Sequence, residues 1–346
     1  MLFRNITSPH TIRPNDVTTI MLRVILALVP GIITMIWLFG WGILINIAIA
    51  IVTAIISEAF CIKLRGRPIM PALSDLSAIV TALLFAIAIP PLLPWWQTVF
   101  GMAFAIIIIK QMYGGIGYNP FNPAMSAYVL LLISYPADMT SWVSPIVLNE
   151  NPLSFMQTLA AIFGGLVPAG MTWDSLSGAT PLNSLKMALN QNQMISEIRT
   201  GPLWQGMIGG YGWEWPSVAF LLGGIWMIYK RVITWHIPVS MLGTLFLFGL
   251  LFSLLDPEAY PFGLFHLFSG GAILGAFFIA TDPVSACTTP RGRLIYGASI
   301  GALIYIIRTW GGYPDAVAFA VLLLNMSAPI IDHLTQPKVY GHGSKK

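Results

Sequence analysis

Thr180 is a hydroxyl in an unusually open setting. It closes the run Asp174-Ser175-Leu176-Ser177-Gly178-Ala179-Thr180 and is followed by Pro181. Small neighbours at Ser177, Gly178 and Ala179 let a second protein's active site approach the oxygen. Pro181 keeps Thr180 out of the helical region, so the segment stays extended. A threonine that must be modified needs that access. Asn119 and Asn122 lie in Tyr118-Asn119-Pro120-Phe121-Asn122-Pro123-Ala124. Their amides can donate and accept hydrogen bonds to a ligand, or simply cap a broken helix. Asp282, with Pro283 behind it, can bind a ligand or a cation, or pair with Arg291 or Arg293. Glu58 is expected to pair with Lys63 or Arg65 rather than stand in an ion path. No metal centre is expected: Cys61 and Cys287 are isolated thiols, and His10, His236, His266, His333 and His342 lack ligand spacing.

The elements that position these groups must sit in lipid. Charged residues make up 9% of the 346 residues and hydrophobic ones 56%, against about 25% charge in soluble proteins. So few charges cannot build a water-soluble surface. The net charge of +4 is a small excess and not a nucleic-acid-binding patch.

A membrane helix needs roughly 20 mainly apolar residues. Val24–Ser57 is free of charge and reads as a hairpin turning at Gly40-Trp41-Gly42. Leu76–Ile109 reads as a second hairpin, broken by Pro90, Pro91 and Pro94. A fifth span follows Pro123, and later spans centre on 218–228, 237–254, 264–279, 294–307 and 316–331. The expected architecture is an all-α polytopic membrane protein of about ten helices. Its units are a membrane half at 1–134, an exterior connection at 135–213 without structure of its own, and a second membrane half at 214–346. Met1–Thr19 does not read as a cleavable signal peptide.

With a cytoplasmic N-terminus, 14 of the 17 cations fall on the inner side and only Lys186, Arg199 and Arg308 outside. The positive-inside rule therefore places both termini in the cytoplasm and Thr180 outside. Two segment pairs recur five spans apart: Lys110-Gln111-Met112-Tyr113-Gly114-Gly115 with Arg308-Thr309-Trp310-Gly311-Gly312, and the segment from Ser77 with that from Ser269. An odd offset inverts the second copy, so the halves read as inverted repeats with a site near their axis.

Asp174-x-x-Ser177-Gly178-Ala179-Thr180 resembles the acceptor motif of bacterial flavin transferases, which join FMN through its phosphate to the threonine. Two homologous ten-span families carry it: the RnfD component of the Rnf electron-transport complex and the NqrB component of the Na⁺-translocating NADH:quinone reductase. Tyr118–Ala124 is similar to their Asn-Pro-Phe-Asn-Pro segment, and Thr281-Asp282-Pro283-Val284-Ser285 to their Thr-Asp-Pro-Val-Ser segment. The quinone-reductase component carries a longer extension before its first span, so the Rnf component is the better match.

The resemblance implies an electron-transfer subunit of a bacterial inner-membrane translocase, incomplete as an enzyme alone. It implies covalent FMN on Thr180 and a non-covalent riboflavin near the cytoplasmic side, with Asn119, Asn122 and Asp282 as candidate contacts and Arg308 a possible holder of the FMN. The implied partners are a second FMN-bearing subunit, iron–sulfur subunits and a periplasmic flavin transferase, with electrons exchanged between ferredoxin and NAD as Na⁺ or H⁺ moves. A solute permease on the same inverted repeat is the competing class, and it leaves Thr180 idle.

Overall fold

The computed structural model describes residues 17–149, 152–168 and 170–337. Arg4, His10, Arg13, Lys338, His342, Lys345 and Lys346 lie outside the described residues. In an apolar layer a helix satisfies its own backbone groups, and each long uncharged stretch becomes one. Helices α1 (Val17–Phe39) and α2 (Trp41–Leu64) meet at Gly40, whose φ of 80° a residue with a Cβ adopts only under strain. Helices α3 (Ser77–Ala88) and α4 (Trp95–Phe104) form the second expected hairpin, and α4 continues as a π-helical turn over Ala105–Gln111. The proline-rich connection between them leaves carbonyls without helical donors. Asn46 of α2 supplies one, reaching Pro90 O at 3.0 Å and Pro91 O at 3.3 Å. Helix α5 (Pro123–Ser134) closes the first half.

The connection over 135–213 differs from the structureless loop expected. It contains α6 (Phe155–Gly164) and α7 (Pro181–Asn190), several single helical turns, and a short antiparallel ladder. Strand β1 (Trp142–Val143) pairs with β2 (Ser177–Gly178), Trp142 opposite Gly178 and Val143 opposite Ser177. These are the strands among the described residues, and they qualify the all-α expectation. Local signals explain the helices: Ser154 and Gln157 form a capping box for α6, and Thr180 caps α7 with Pro181 in its first turn.

The second half contains α8 (Glu214–Tyr229), α9 (His236–Leu255), α11 (Pro290–Trp310) and α12 (Val317–Leu334). Between α9 and α11 runs a broken element. Helix α10 (Gly263–Phe268) stops at Ser269-Gly270-Gly271, and the chain resumes at Ala272–Leu274 and ends as a π-helical turn over Gly275–Ile279. Helices α1, α2, α9 and α12 are long and apolar enough to cross a membrane, and α3, α5 and α6 are shorter apolar helices. The chain is a helical, polytopic membrane protein.

Small residues let the helices close on one another. Helix α9 packs most extensively on α11, where a Cβ on Gly301 would overlap Met241 O. Helix α1 packs on α8 and so joins the halves. A Cβ on Gly223 of α8 would run into Ala27 O of α1, and backbone cannot swing aside. Gly223→Val is therefore expected to destabilise the chain by about 1–3 kcal/mol, the usual cost of overpacking. Thermal unfolding in detergent checks this, with Gly243→Val, where a Cβ meets open space, as the neutral comparison.

Candidate functional site

Two cavities occupy opposite ends of one set of helices. Residues of α1, α3, α5 and α8 line both, and each helix contributes one end to each cavity. The end that carries 135–213 is called here the loop end.

The cavity away from the loop measures about 280 Å³. Asn119, Asn122 and Asp282 all line it, together with Lys110 and Arg293 and an apolar wall of Val24, Leu84, Phe277 and Phe278. Three residues far apart in sequence thus converge on one space. The Asn119 amide nitrogen donates to Phe121 O at 2.9 Å, and Asn122 Oδ1 accepts from Met125 N at 3.1 Å to cap α5. Capping and ligand binding are compatible here, because among the described residues Asn119 Oδ1 and Asn122 Nδ2 have no hydrogen-bond partner. Asp282 does not pair with Arg291 or Arg293. It accepts from Val284 N (3.3 Å) and Ser285 Oγ (2.9 Å), while Arg293 donates to Cys287 O and Thr234 Oγ1. A half-buried carboxylate beside an apolar wall, with polar groups gathered on one side, suits a planar heterocycle with a polar edge.

The loop-end cavity measures about 160 Å³, and Thr180 lies on its lining with Asn183, Ser217, Tyr128, Trp213 and Asp315. The ladder delivers Thr180 there. Gly178 packs closely on Ser144, just past β1, where a Cβ would displace the Ser144 hydroxyl. Trp142 of β1 packs edge-on to Phe39 and Trp213, closing one wall. Thr180 Oγ1 accepts from Asn183 N at 3.2 Å, and it stands at the N-terminus of α7, where backbone N–H groups favour an anion. Ala179 and Asp174 are exposed, and Ser177, Gly178 and Thr180 are half-buried. Asp174 lies in the short turn Trp173–Leu176, apart from the Thr180 hydroxyl and its hydrogen bond to Asn183.

Several polar groups that position the site carry little sequence signal. Lys186 of α7 donates to Gly311 O, to Tyr313 O at 3.1 Å and to Arg308 O at 3.4 Å, which pins α7 to the turn between α11 and α12. Burial lowers its pKa from the usual lysine value. Glu214 accepts from three successive amides, Met207 N (3.1 Å), Ile208 N (2.8 Å) and Gly209 N (3.1 Å), and locks the end of the loop.

Two buried cations hold the broken elements. Lys110 lies 2.5 Å from Glu58 and 2.7 Å from Ser77 Oγ at the start of α3. Gln111 Nε2 also donates to Glu58, and Arg65 donates to Gln111. Glu58 therefore pairs with Lys110, not with Lys63 or Arg65 as expected: α4 brings Lys110 back beside α2, although the two residues are distant in sequence. At the loop end Arg308 donates to His266 O (2.6 Å), Ser269 O (3.2 Å) and Asp315 Oδ1 (3.0 Å). Those bonds tie its two terminal nitrogens to the protein, while its buried Nε has no hydrogen-bond partner among the described residues. Burial would raise the Asp315 pKa, but the charge of Arg308 and the amides of Gly271 and Ala316 outweigh it and hold the carboxyl below its ordinary value.

Each break also has a residue in the left-handed region, Leu76 (φ 61°) before α3 and Gly270 (φ 66°) before Ala272. Leu76 carries a strain there that Gly270 does not. A Cβ at Gly270 would press on Asp315 and Leu182, so the loop-end break needs glycine for space as well.

These features define a polytopic membrane protein with a cavity at each end of a shared bundle and a half-buried threonine on the lining of one of them. The chain belongs to the NQR2, RnfD, RnfE family, whose model matches residues 5–341. The D subunits of the ion-translocating oxidoreductase complexes of Escherichia fergusonii and Aliivibrio salmonicida are 49% and 50% identical to it, over 99% of each chain. The protein of that name from Aeromonas hydrophila is 51% identical over 98% of this chain and 99% of its own. The family resemblance drawn from the motifs at Thr180, Asn119 and Asp282 is thus borne out.

Lys110→Met would leave the Glu58 carboxylate buried without a counter-charge. The expected cost is about 3–5 kcal/mol, with a large part regained in Lys110→Met/Glu58→Gln. Unfolding midpoints of the two single variants and the double variant measure this. An unchanged midpoint for Lys110→Met would mean that the pair does not hold α3 in place.

Proposed function

We propose that this chain is the membrane electron-transfer component RnfD of an ion-translocating oxidoreductase complex of the Rnf type, and that it carries FMN as a phosphoester on Thr180. The relatives' names, at near 50% identity over whole chains, support the complex. The observation that carries the flavin reading is the position of Thr180, half-buried on a cavity lining at the N-terminus of α7. A phosphate esterified to Oγ1 would meet the amides of the first turn of α7, which favour negative charge, while the aromatic lining admits a planar ring. FMN supplies one- and two-electron chemistry. The chain fixes its place: Lys186 anchors α7, Asn183 stands beside the acceptor oxygen, and Trp213 and Tyr128 exclude water from the lining.

The opposite cavity is proposed to hold riboflavin, with Asn119, Asn122 and Asp282 toward its polar edge. The architecture is proposed as ten spans in two inverted halves, 1–134 and 214–346, around the segment 135–213. Matching breaks at Leu76 and Gly270, each held by a buried cation, support the inversion. Among the described residues the loop end holds few cations, Lys186, Arg199 and Arg308. The positive-inside rule therefore supports a periplasmic loop end, reachable by a flavin transferase, in the bacterial inner membrane with both termini cytoplasmic. Partner subunits with FMN and iron–sulfur clusters would exchange electrons with ferredoxin and NAD while Na⁺ or H⁺ crosses.

Co-expressed with a flavin transferase, the denatured chain should fluoresce as a flavin band in a gel, and Thr180→Ala should be dark. A dark parent chain or a fluorescent Thr180→Ala sinks the covalent reading. Asn119→Ala/Asn122→Ala should lose at least about tenfold of the acid-extractable flavin, as expected when two hydrogen bonds to a ligand are removed at about 1 kcal/mol each or slightly more. The covalent band should be kept. Equal extractable flavin in the double variant would exclude these two side chains as riboflavin contacts.

A further inference from the structure

Helix α6 is uncharged throughout, Phe-Met-Gln-Thr-Leu-Ala-Ala-Ile-Phe-Gly, and the sequence carries no charge from Asn151 to Trp173. It is nonetheless a well-formed helix, with the Ser154–Gln157 capping box at one end and Gly165 in the left-handed region at the other. Thr158, Ala161 and Ile162 are buried on the side that meets α2. The remaining face is apolar and open: Met156 is 72% exposed, Phe163 51%, and Leu166 just past the cap 65%. Water tolerates such a face poorly.

The orientation of α6 follows from two ring contacts. Phe155 meets Trp41 edge-on with ring centres 5.6 Å apart, and Phe163 stacks on Trp95 at 6.1 Å. Trp41 opens α2 and Trp95 opens α4. Both helices start at the same end of the bundle, because the Pro90-Pro91 connection is bonded to Asn46 near the start of α2. Eight residues of helix span about 12 Å. Helix α6 therefore lies along the line between the two tryptophans and across the ends of α2 and α4. Tryptophans at the ends of apolar helices mark the headgroup level, so α6 runs in the membrane plane at that depth.

The geometry points to α6 as a membrane-surface helix, with Met156, Phe163 and Leu166 seated in the acyl–headgroup boundary of the leaflet on the loop end. Lipid is the occupant that fits. The helix carries no charge, its exposed Gln157 lies toward its start with Oε1 engaged by Ser154 N, and the apolar face continues into Trp41 and Leu44, exposed on a helix long enough to span. The helix lies between β1 and β2 in sequence, so seating it in lipid fixes the height of the ladder, and of Thr180, above the membrane. This rests on the membrane reading of α2 and α4, not on flavin attachment.

The test uses the full chain, alone and in the assembled complex, in phospholipid vesicles. Cys61 and Cys287 are replaced by alanine, and a spin label is placed at Met156→Cys, at Phe163→Cys, or at Gln191→Cys on the exposed end of α7. Power saturation then compares oxygen with a water-soluble nickel chelate. The expected result is dominant access by oxygen at 156 and 163 and by the nickel chelate at 191, in both preparations. Dominant nickel access at 156 and 163 overturns the proposal in favour of water. Labels that lose both collision partners and become immobile on assembly overturn it in favour of an interface with a neighbouring protein. Neither result depends on whether Thr180 carries flavin.

Discussion

A helix interrupted inside an apolar layer strands backbone groups that no water can reach, and the break survives only where the protein itself supplies their partners. Two breaks of this kind organise the molecule. At Ser77 the amide and hydroxyl turn to Asp75 Oδ1, at 2.7 and 2.5 Å, while Lys110 reaches the same hydroxyl from α4. At Ser269 the carbonyl accepts from Arg308, while Asp315 takes the Gly271 amide at 2.8 Å. In both, a cation from a distant helix and a nearby carboxylate outside the helices stand in for water. Lys110 is balanced by Glu58 of α2 and Arg308 by Asp315 just before α12, so each break ties together parts of the chain distant in sequence. Both cavities open beside these breaks: Ser77 and Lys110 line one, Gly270, Gly271 and Asp315 the other.

The two cavities share their walls as well as their cause. Helix α5 presents Ala124 to one and Tyr128 to the other, and α3 presents Thr81 to one and Ile87 to the other. A change in the tilt of either helix would be felt at both ends. This arrangement suits a protein in which two bound groups must keep a fixed relation, and close packing through Gly31, Gly223 and Gly224 leaves little slack between them.

Much of this is legible in the residues alone. The turns at Gly40 and at Pro90–Pro94 and the helix start at Asn122 all follow from glycine, proline and capping residues acting within a few positions, whereas the stretch 264–279, read as one span, is broken at Ser269-Gly270-Gly271. The convergence of Asn119, Asn122 and Asp282 is suggested by the family resemblance alone, since it depends on how α5 meets the segment after the broken element. What escapes a sequence reading are partnerships set by packing: Glu58 with Lys110, Lys186 with three carbonyls, Glu214 with three amides. Glu58 has Lys63 and Arg65 close by in sequence, so local charge rules point elsewhere, while Lys186 and Glu214 have no opposite charge within ten residues and bond backbone groups that no charge rule names. The segment 135–213 reads as structureless because its helices are short, and their signals lie in caps such as Ser154 and Thr180, not in long periodic runs.

The ladder between β1 and β2 has only two residue pairs, yet it brackets a long excursion of chain. Its geometry divides the connection into parts with different freedom to change. Residues added or lost between Ser144 and Leu176 would enlarge or trim the excursion and leave the pairing of Trp142 with Gly178 untouched. A single deletion between Gly178 and Pro181 would instead draw Thr180 off the cavity lining and turn its hydroxyl to another side. Length variation among related chains should therefore collect inside the excursion and be absent from the short link between Gly178 and Pro181.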